Sequence, residues 1–265
     1  MGKRTSYEPG TFSYAELATT DVADAKRFYG GLFGWEFEDV PVPDNEPYTL
    51  ARIEGDSVAG LTPQQPQQRE AGIPPHWFNY VTVASADETA TRVGELGGTV
   101  HAGPLDVMDQ GRMAVIADPT GAMLGIWEPR SGIGAERVNE PGSLTWNDLA
   151  TNDVDAASEF YSGLFGWSIE KLDTGDAPPY WSISHGGAAA GRNGGMRELT
   201  PEEQGVPPNW MAYFAVESVD ETLAKAQELG GYALFGPMEV PAGKFAAIHD
   251  PQRAAFSVAE GEPDD

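Results

Sequence analysis

Two carboxylates stand at positions from which they could move protons. Glu16 follows Tyr14 by two residues, and Asp148 follows Trp146 by two residues, in segments that resemble each other. In an extended strand, residues two apart point to the same face. A carboxylate beside an aromatic ring on a desolvated face has a raised pKa, so it could act as a general acid or base, or bind a ligand's amine or hydroxyl. Glu16 and Asp148 are therefore our candidate catalytic residues.

A structural alternative is that each of these carboxylates is neutralised by a cation on a neighbouring strand. Structural ion pairs perturb pKa values as functional sites do. The candidate cations are Arg52, Arg112, Arg192 and Lys244. The sequence leaves both interpretations open.

Other catalytic chemistries find little support. The chain has no cysteine, which excludes a thiolate nucleophile, a disulfide and a Cys-based zinc site. None of the four histidines recurs at the equivalent place of the repeat described below, which favours structural roles for them; they are His76, His101, His185 and His249. We find no phosphate-binding loop, nucleophile elbow or Ser-His-Asp set.

The segments around the two carboxylates belong to a long internal repeat. FSYAELATTDVADAKRFYGGLFGW, from Phe12, returns as LTWNDLATNDVDAASEFYSGLFGW from Leu144. PPHWFNYVTVASADET, from Pro74, returns as PPNWMAYFAVESVDET from Pro207. This predicts two domains, residues 10–137 and 142–260, joined by a short linker, each long enough to bury its own core.

Each copy contains two similar modules. A short alternating strand leads to an N-cap residue, Asp21 in the first module, and the helix that follows ends at Gly34. Ser85 and Glu88 form a capping-box pattern before the second helix. Three strand-like runs follow each helix, and Pro63 to Gln68 is predicted to be a loop between modules. The prediction is an α+β protein of four βαβββ modules.

The repeated motif D-x-x-x-A-x-x-F-Y-x-x-L-F-G-W lies at Asp21–Trp35 and Asp153–Trp167, and D-P-x-G lies at Asp118–Gly121. These segments resemble the vicinal oxygen chelate superfamily, which includes glyoxalases, bleomycin-resistance proteins and dioxygenases. More closely, the chain is similar to tandem proteins commonly described as hydroxylases or glyoxalase-like proteins. The resemblance implies two tandem glyoxalase-like domains whose mixed sheets curve into cups.

The same resemblance locates the positions that would hold a metal ion. In the superfamily, His, Gln or Glu residues on the first and last strands of each module bind it. Here those positions carry Tyr14, Phe78, Trp146, Met211, Gly125 and Ser257. We expect neither a metal nor a cofactor, because these side chains do not supply the usual donors. Glu128 and Glu260 lie three residues beyond the last two positions, so strand alternation turns them to the opposite face.

Alternation also predicts the lining of the cups. Tyr80 and Tyr213 share the cup face with the first-strand positions, so the candidate ligand-binding residues are Tyr14, Phe78, Tyr80, Trp146, Met211 and Tyr213. The other recurring aromatic residues are interpreted mainly as packing, with Trp77 and Trp210 facing outward or at the strand entrance; they include Trp35, Trp167, Tyr48 and Tyr180. Aromatic walls suit planar, apolar ligands.

Composition limits the partners. The 16 Lys+Arg against 41 Asp+Glu give a net charge of −25, which disfavours nucleic acid and anionic membrane surfaces. We expect a cytoplasmic monomer or loose homodimer that binds an aromatic or apolar small molecule without a metal. One alternative is a metal-independent hydroxylase, isomerase or lyase that uses Glu16 or Asp148 as its acid or base. Another is an acidic surface that serves a protein partner.

Overall fold

The fold is seen in a computed structural model that describes residues 2–43, 45–175, 177–186, 192–240 and 243–261. The side chain of Arg192 lies outside the described part.

The first copy contains eight strands and three helices in the described ranges. They are β1 (Phe12–Thr19), α1 (Val22–Phe33), β2 (Glu36–Val40), β3 (Tyr48–Ile53), β4 (Asp56–Pro63), α2 (Pro66–Glu70), β5 (His76–Thr82), α3 (Ala86–Glu95), β6 (Thr99–Val107), β7 (Gly111–Ala117) and β8 (Met123–Pro129).

The second copy repeats this order, with a 3-10 turn at Pro201–Glu203 in place of α2. Its elements are β9 (Leu144–Thr151), α4 (Val154–Phe165), β10 (Ser168–Lys171), β11 (Tyr180–Ser184), β12 (Arg192–Glu198), β13 (Asn209–Ala215), α5 (Val219–Glu228), β14 (Tyr232–Val240), β15 (Gly243–His249) and β16 (Ala255–Glu260).

Each copy forms one eight-stranded mixed sheet. The strand orders are β2-β3-β4-β1-β5-β8-β7-β6 and β10-β11-β12-β9-β13-β16-β15-β14. The first strands of the two modules are antiparallel neighbours at the centre, and each is parallel to the last strand of its own module. This confirms the predicted α+β fold of four βαβββ modules in two tandem sheets.

The helix ends follow the predicted caps. The Asp21 carboxylate accepts a hydrogen bond from the Asp24 N–H at 3.0 Å, and Gly34 ends α1 in the left-handed conformation at φ 72°. The Ser85 hydroxyl accepts from the Glu88 N–H at 3.3 Å. Such residues recur because they satisfy backbone groups that the helix leaves unpaired.

The predicted loop from Pro63 to Gln68 is wrong in part. Pro63 ends β4, and Pro66 begins the short helix α2. Proline suits the first helical turn because its φ is already helical and its missing N–H has no partner to lose there. The Gln65 N–H donates to the Gln68 side chain at 3.0 Å, which closes the first turn.

The helices lie between the two sheets, and the two copies share their hydrophobic cores. One core joins the first module of copy one to the last module of copy two, with Phe33 and Phe214 ring centroids 5.3 Å apart. The other core joins the two middle modules, where Ile116 and Leu124 belong to one buried cluster with Phe160 and Tyr161. The expectation that each copy buries its own core is therefore wrong. Periodicity identifies a buried face but not the element that covers it.

Buried hydrogen bonds accompany these shared cores. The Tyr29 hydroxyl donates to Asp250 Oδ2 at 3.1 Å and accepts from the Trp77 indole N–H at 3.0 Å. Trp210 donates to the Tyr161 hydroxyl at 2.8 Å in the same way. The prediction that Trp77 and Trp210 face outward or mark a strand entrance is corrected, because both lie buried on the helix side of their sheets.

The segment between the copies is itself packed into the structure. Ala135 is fully buried, and the Arg137 guanidinium bonds to Glu54 and Asp56 at 2.8 Å and to Glu140 at 3.1 Å. The domain boundaries at 10–137 and 142–260 stay a prediction. In the described ranges, no helix has the length and apolar character required to cross a bilayer.

Candidate functional site

We call the faces that point away from the shared cores the first cup (sheet β1–β8) and the second cup (sheet β9–β16). In the register of the central strands, Tyr14 lies opposite Tyr80 and Glu16 opposite Phe78. The second cup repeats this arrangement, with Trp146 opposite Tyr213 and Asp148 opposite Met211. The structure thus gathers all eight predicted site residues at the centres of the two cups.

Asp148 is held by three aromatic donors in the second cup. This residue is 9% exposed. Oδ1 accepts hydrogen bonds from the Tyr180 hydroxyl at 2.6 Å and the Trp146 indole N–H at 3.1 Å, and Oδ2 accepts from the Tyr213 hydroxyl at 3.1 Å. Burial raises the pKa of Asp148, while these donors and the charge of Arg197 oppose that rise.

Arg197 lies at the end of β12, opposite Tyr180 in the strand register. Its guanidinium makes two 2.7 Å bonds to the Glu203 carboxylate. Those bonds lower the pKa of Glu203 from 4.5 to about 2. Because the guanidinium of Arg197 already pairs with Glu203, its effect on the pKa of Asp148 is that of a nearby positive charge.

Glu16 occupies the matching place in the first cup, where it is half-buried. Burial raises the pKa of Glu16, and hydrogen bonding to Tyr48 and Tyr80 opposes that rise. The Tyr48 and Tyr14 hydroxyl groups also lie within hydrogen-bond distance of each other, at 3.3 Å. Both cups therefore contain one desolvated carboxylate among aromatic hydroxyls, an arrangement that can bind a ligand or hold a proton.

Three of the cations proposed to neutralise these carboxylates pair elsewhere. Arg52 bonds to Glu38, Arg112 to Asp87 and Lys244 to Asp220, at 2.8, 2.8 and 2.6 Å respectively. The fourth candidate, Arg192, has its side chain outside the described part. The ion-pair alternative is therefore wrong for Arg52, Arg112 and Lys244.

The prediction that Tyr48 and Tyr180 serve mainly in packing is corrected by the structure. Each hydroxyl lies over a glycine on the neighbouring strand, Gly60 or Gly195, where an added Cβ would collide with it. Only glycine leaves room for the hydroxyl to reach the central carboxylate. The recurrence of Pro-Tyr in both copies, with a glycine on the following strand, is the sequence signal that could have identified these residues.

At the positions where the superfamily described above binds a metal ion, the residues of this chain do not fit one. At Gly125, the ring of Tyr80 fills the space that a side chain would take. The equivalent Ser257 pairs with Tyr213 in the strand register. No group of three or more His, Cys, Asp or Glu side chains in the described ranges is placed to hold a metal ion.

Glu128 and Glu260 lie on the helix side, as alternation predicts. Glu128 accepts a hydrogen bond from the Ala86 N–H, and Glu260 accepts one from the Val219 N–H, each at 2.9 Å. The two carboxylates thus bind the first turns of α3 and α5, where the helix dipole favours negative charge. They are directed away from the cups.

Two cavities lie outside the cups, with volumes of about 330 and 380 Å³. The first lies between the end of α3 and α4, and the second lies at the start of α4 beside Lys171 and Trp181. None of the predicted site residues lines either cavity. In the cups, the ring centroids of Tyr14 and Tyr80 lie 6.4 Å apart and those of Tyr213 and Phe245 lie 6.2 Å apart, so a ligand there would rest on aromatic side chains.

Comparison with known proteins gives consistent matches. A model of the Glyoxalase/Bleomycin resistance protein/Dioxygenase superfamily matches residues 11–126 and 143–258. The "Putative glyoxylase CFP32" of Mycobacterium tuberculosis is 40% identical over 265 residues, covering 99% of both chains. The "Anthracycline biosynthesis protein DauV" of Streptomyces sp. (strain C5) is 36% identical over 269 residues, covering 97% of this chain and 95% of the relative.

Among solved structures, the Mn(II)-bound glyoxalase from Novosphingobium aromaticivorans has a TM-score of 0.66 at 15% identity. The match covers 100% of this chain and 84% of that chain. At this identity the likeness shows a shared fold.

Proposed function

Because this chain belongs to the Glyoxalase/Bleomycin resistance protein/Dioxygenase superfamily, we propose that it binds a planar aromatic small molecule in one or both of its cups without a metal ion. The observation that carries the proposal is the aromatic cage around Asp148, in which three donors already satisfy the carboxylate. The groups that remain available to a ligand are therefore ring faces and not ligating atoms. Aromatic rings stack favourably on such faces.

One of the relatives supports the same ligand class. DauV is named for anthracycline biosynthesis, and anthracyclines are planar polycyclic molecules. The chain's charge of −25 disfavours nucleic acid and anionic lipid as partners. We further propose a cytoplasmic monomer or loose homodimer, and a stable tetramer in light scattering would contradict that oligomeric state.

The test is calorimetric titration of the purified protein with 1,4-dihydroxyanthraquinone, a planar three-ring probe, with and without EDTA. We expect saturable binding that EDTA leaves unchanged, together with a change in tryptophan fluorescence as the ligand reaches Trp146. Metal analysis of the same sample should show sub-stoichiometric Zn, Fe, Mn and Ni. Stoichiometric metal, or binding that EDTA abolishes, would contradict the metal-free proposal.

A second candidate is a metal-independent enzyme in which Glu16 or Asp148 transfers a proton. The observation that favours it is the raised pKa of both carboxylates, which burial causes. A carboxyl group that holds its proton nearer neutral pH is a better general acid. Once a substrate is found, Glu16→Gln and Asp148→Asn distinguish the candidates: normal binding with lost turnover supports the enzyme, and lost binding supports the binding protein.

A further inference from the structure

Strand β14, at the edge of the second sheet, presents apolar side chains to the second cup. Register pairs Tyr232 with His249, Phe235 with Ala247 and Met238 with Phe245, which places these residues on the cup face. Tyr232 is 44% exposed, Phe235 37% and Met238 50%. Soluble proteins seldom leave contiguous apolar surface exposed without a use for it.

This surface is continuous with the aromatic cage of Asp148. The Phe235 ring centroid lies 5.9 Å from that of Phe245, which lies 6.2 Å from that of Tyr213. Tyr213 in turn donates to Asp148. An aromatic path therefore runs from the buried carboxylate to the sheet edge. We call Tyr232, Phe235, Met238 and Phe245 the β14 wall.

The first cup has no such wall in the described ranges. The equivalent positions carry Thr99, Ala102, Leu105 and Met113, which follow from the matching strand register. Trp127 also lies on that cup's face, but its indole N–H donates to the Gly132 carbonyl at 2.9 Å. Its ring fills the space over Gly111. Trp127 thus packs over the first residue of β7, and the edge strand β6 itself carries no Phe, Tyr or Trp.

We propose that the second cup, through the β14 wall, is the site that binds the planar aromatic ligand, and that the first cup does not bind it. This inference rests on the proposed function. A flat polycyclic ligand could cover Phe235 and Phe245 together, which would remove both rings from water. In the first cup, the edge strand β6 carries Thr99, Ala102 and Leu105 at the matching positions. No aromatic ring on that strand therefore extends the stacking surface of Tyr14, Phe78 and Tyr80 to the sheet edge.

The test compares substitutions at equivalent positions of the two cups, with 1,4-dihydroxyanthraquinone as the titrated probe. Phe235→Ala installs the residue that the first copy has at Ala102, and it should raise the Kd roughly tenfold. Met238→Ala should raise the Kd severalfold. The matched control is Leu105→Ala, since Leu105 is 46% exposed and Met238 is 50% exposed; the control should leave the Kd unchanged.

Because these side chains are exposed, all three variants should keep the thermal midpoint of the parent protein, which circular dichroism checks. A larger Kd for Leu105→Ala than for Met238→Ala, or an unchanged Kd for Phe235→Ala, overturns the assignment to the second cup and leaves the proposed function standing. A parent protein that does not bind the probe refutes both. A dimer that Phe235→Ala dissociates would instead identify the wall as a subunit interface and overturn the inference.

Discussion

Replacing Asp148 by asparagine should stabilise the protein at neutral pH and have little effect in acid. Burial raises the pKa of this carboxyl group in the folded state, so the folded protein binds the proton more tightly than the unfolded chain. This preference contributes its whole stabilising free energy at pH values below the pKa of Asp148 in the unfolded chain, about 3.9. It is lost as pH rises through the folded pKa. The asparagine side chain is neutral at every pH and does not incur that loss.

The size of the effect follows from linkage. Each unit by which the folded pKa exceeds the unfolded value is worth about 1.4 kcal/mol at neutral pH. The asparagine carbonyl can still accept from Tyr180 and Trp146, which bond to Oδ1. Its amide cannot accept the bond that Tyr213 now donates to Oδ2, so that hydroxyl must turn. The predicted gain is therefore reduced by the free energy of one reoriented hydrogen bond.

Urea denaturation between pH 5 and pH 8 measures this directly. The free energy of unfolding of Asp148→Asn minus that of the parent should increase with pH. Asp56→Asn is a control of opposite sign, because hydrogen bonds from Lys3 and Arg137 lower the pKa of Asp56, so its removal should destabilise the protein at neutral pH. If Asp148→Asn is less stable than the parent at pH 8, or the difference does not depend on pH, the three donors outweigh burial and our reasoning about the cage is refuted.

Three further substitutions test the interior and the cage. Tyr29→Phe removes the bond to Asp250 and should lower the unfolding free energy by about 1–3 kcal/mol; an unchanged urea midpoint would show that this contact between the copies contributes nothing. Gly195→Ala should push Tyr180 off the carboxylate and lower stability by about 1.5–3 kcal/mol, and a crystal structure with Tyr180 unmoved would contradict this. Asn79→Ala removes two buried polar atoms that lack partners in the described ranges; we expect a thermal midpoint that is unchanged or higher, and a clear drop would reveal a partner such as ordered water.

Much of the fold could be predicted from the sequence because the informative signals are local. Caps such as Asp21 and Gly34 act within a single turn, and alternation determines which side of a strand each residue occupies. Because of the repeat, the same signals occur in all four modules. The shared cores could not be predicted in this way. Phe33 and Phe214 lie far apart in sequence, and neither residue's local pattern identifies the other.

The candidate site shows the same division. Alternation placed Tyr14 and Glu16 on one face, yet it gave Tyr48 no role, because the bonds of that hydroxyl depend on the space above Gly60 on another strand. The cup-facing residues of β14 could not be predicted from alternation, because the strand register shifts on both sides of Phe235. Contacts that depend on the pairing of distant strands need the three-dimensional structure.

The shared cores make the tandem comparable to an obligate heterodimer whose two subunits happen to be one polypeptide. Substitutions on the outward surface of one cup affect that cup alone, so the two cups are free to acquire different specificities. A substitution in the interior, at Tyr29 or Tyr161 for example, alters a core that both copies share and so affects the stability of both. Evolution of a new binding preference in this scaffold should therefore proceed by changes on the cup surfaces, while the helices between the sheets vary slowly.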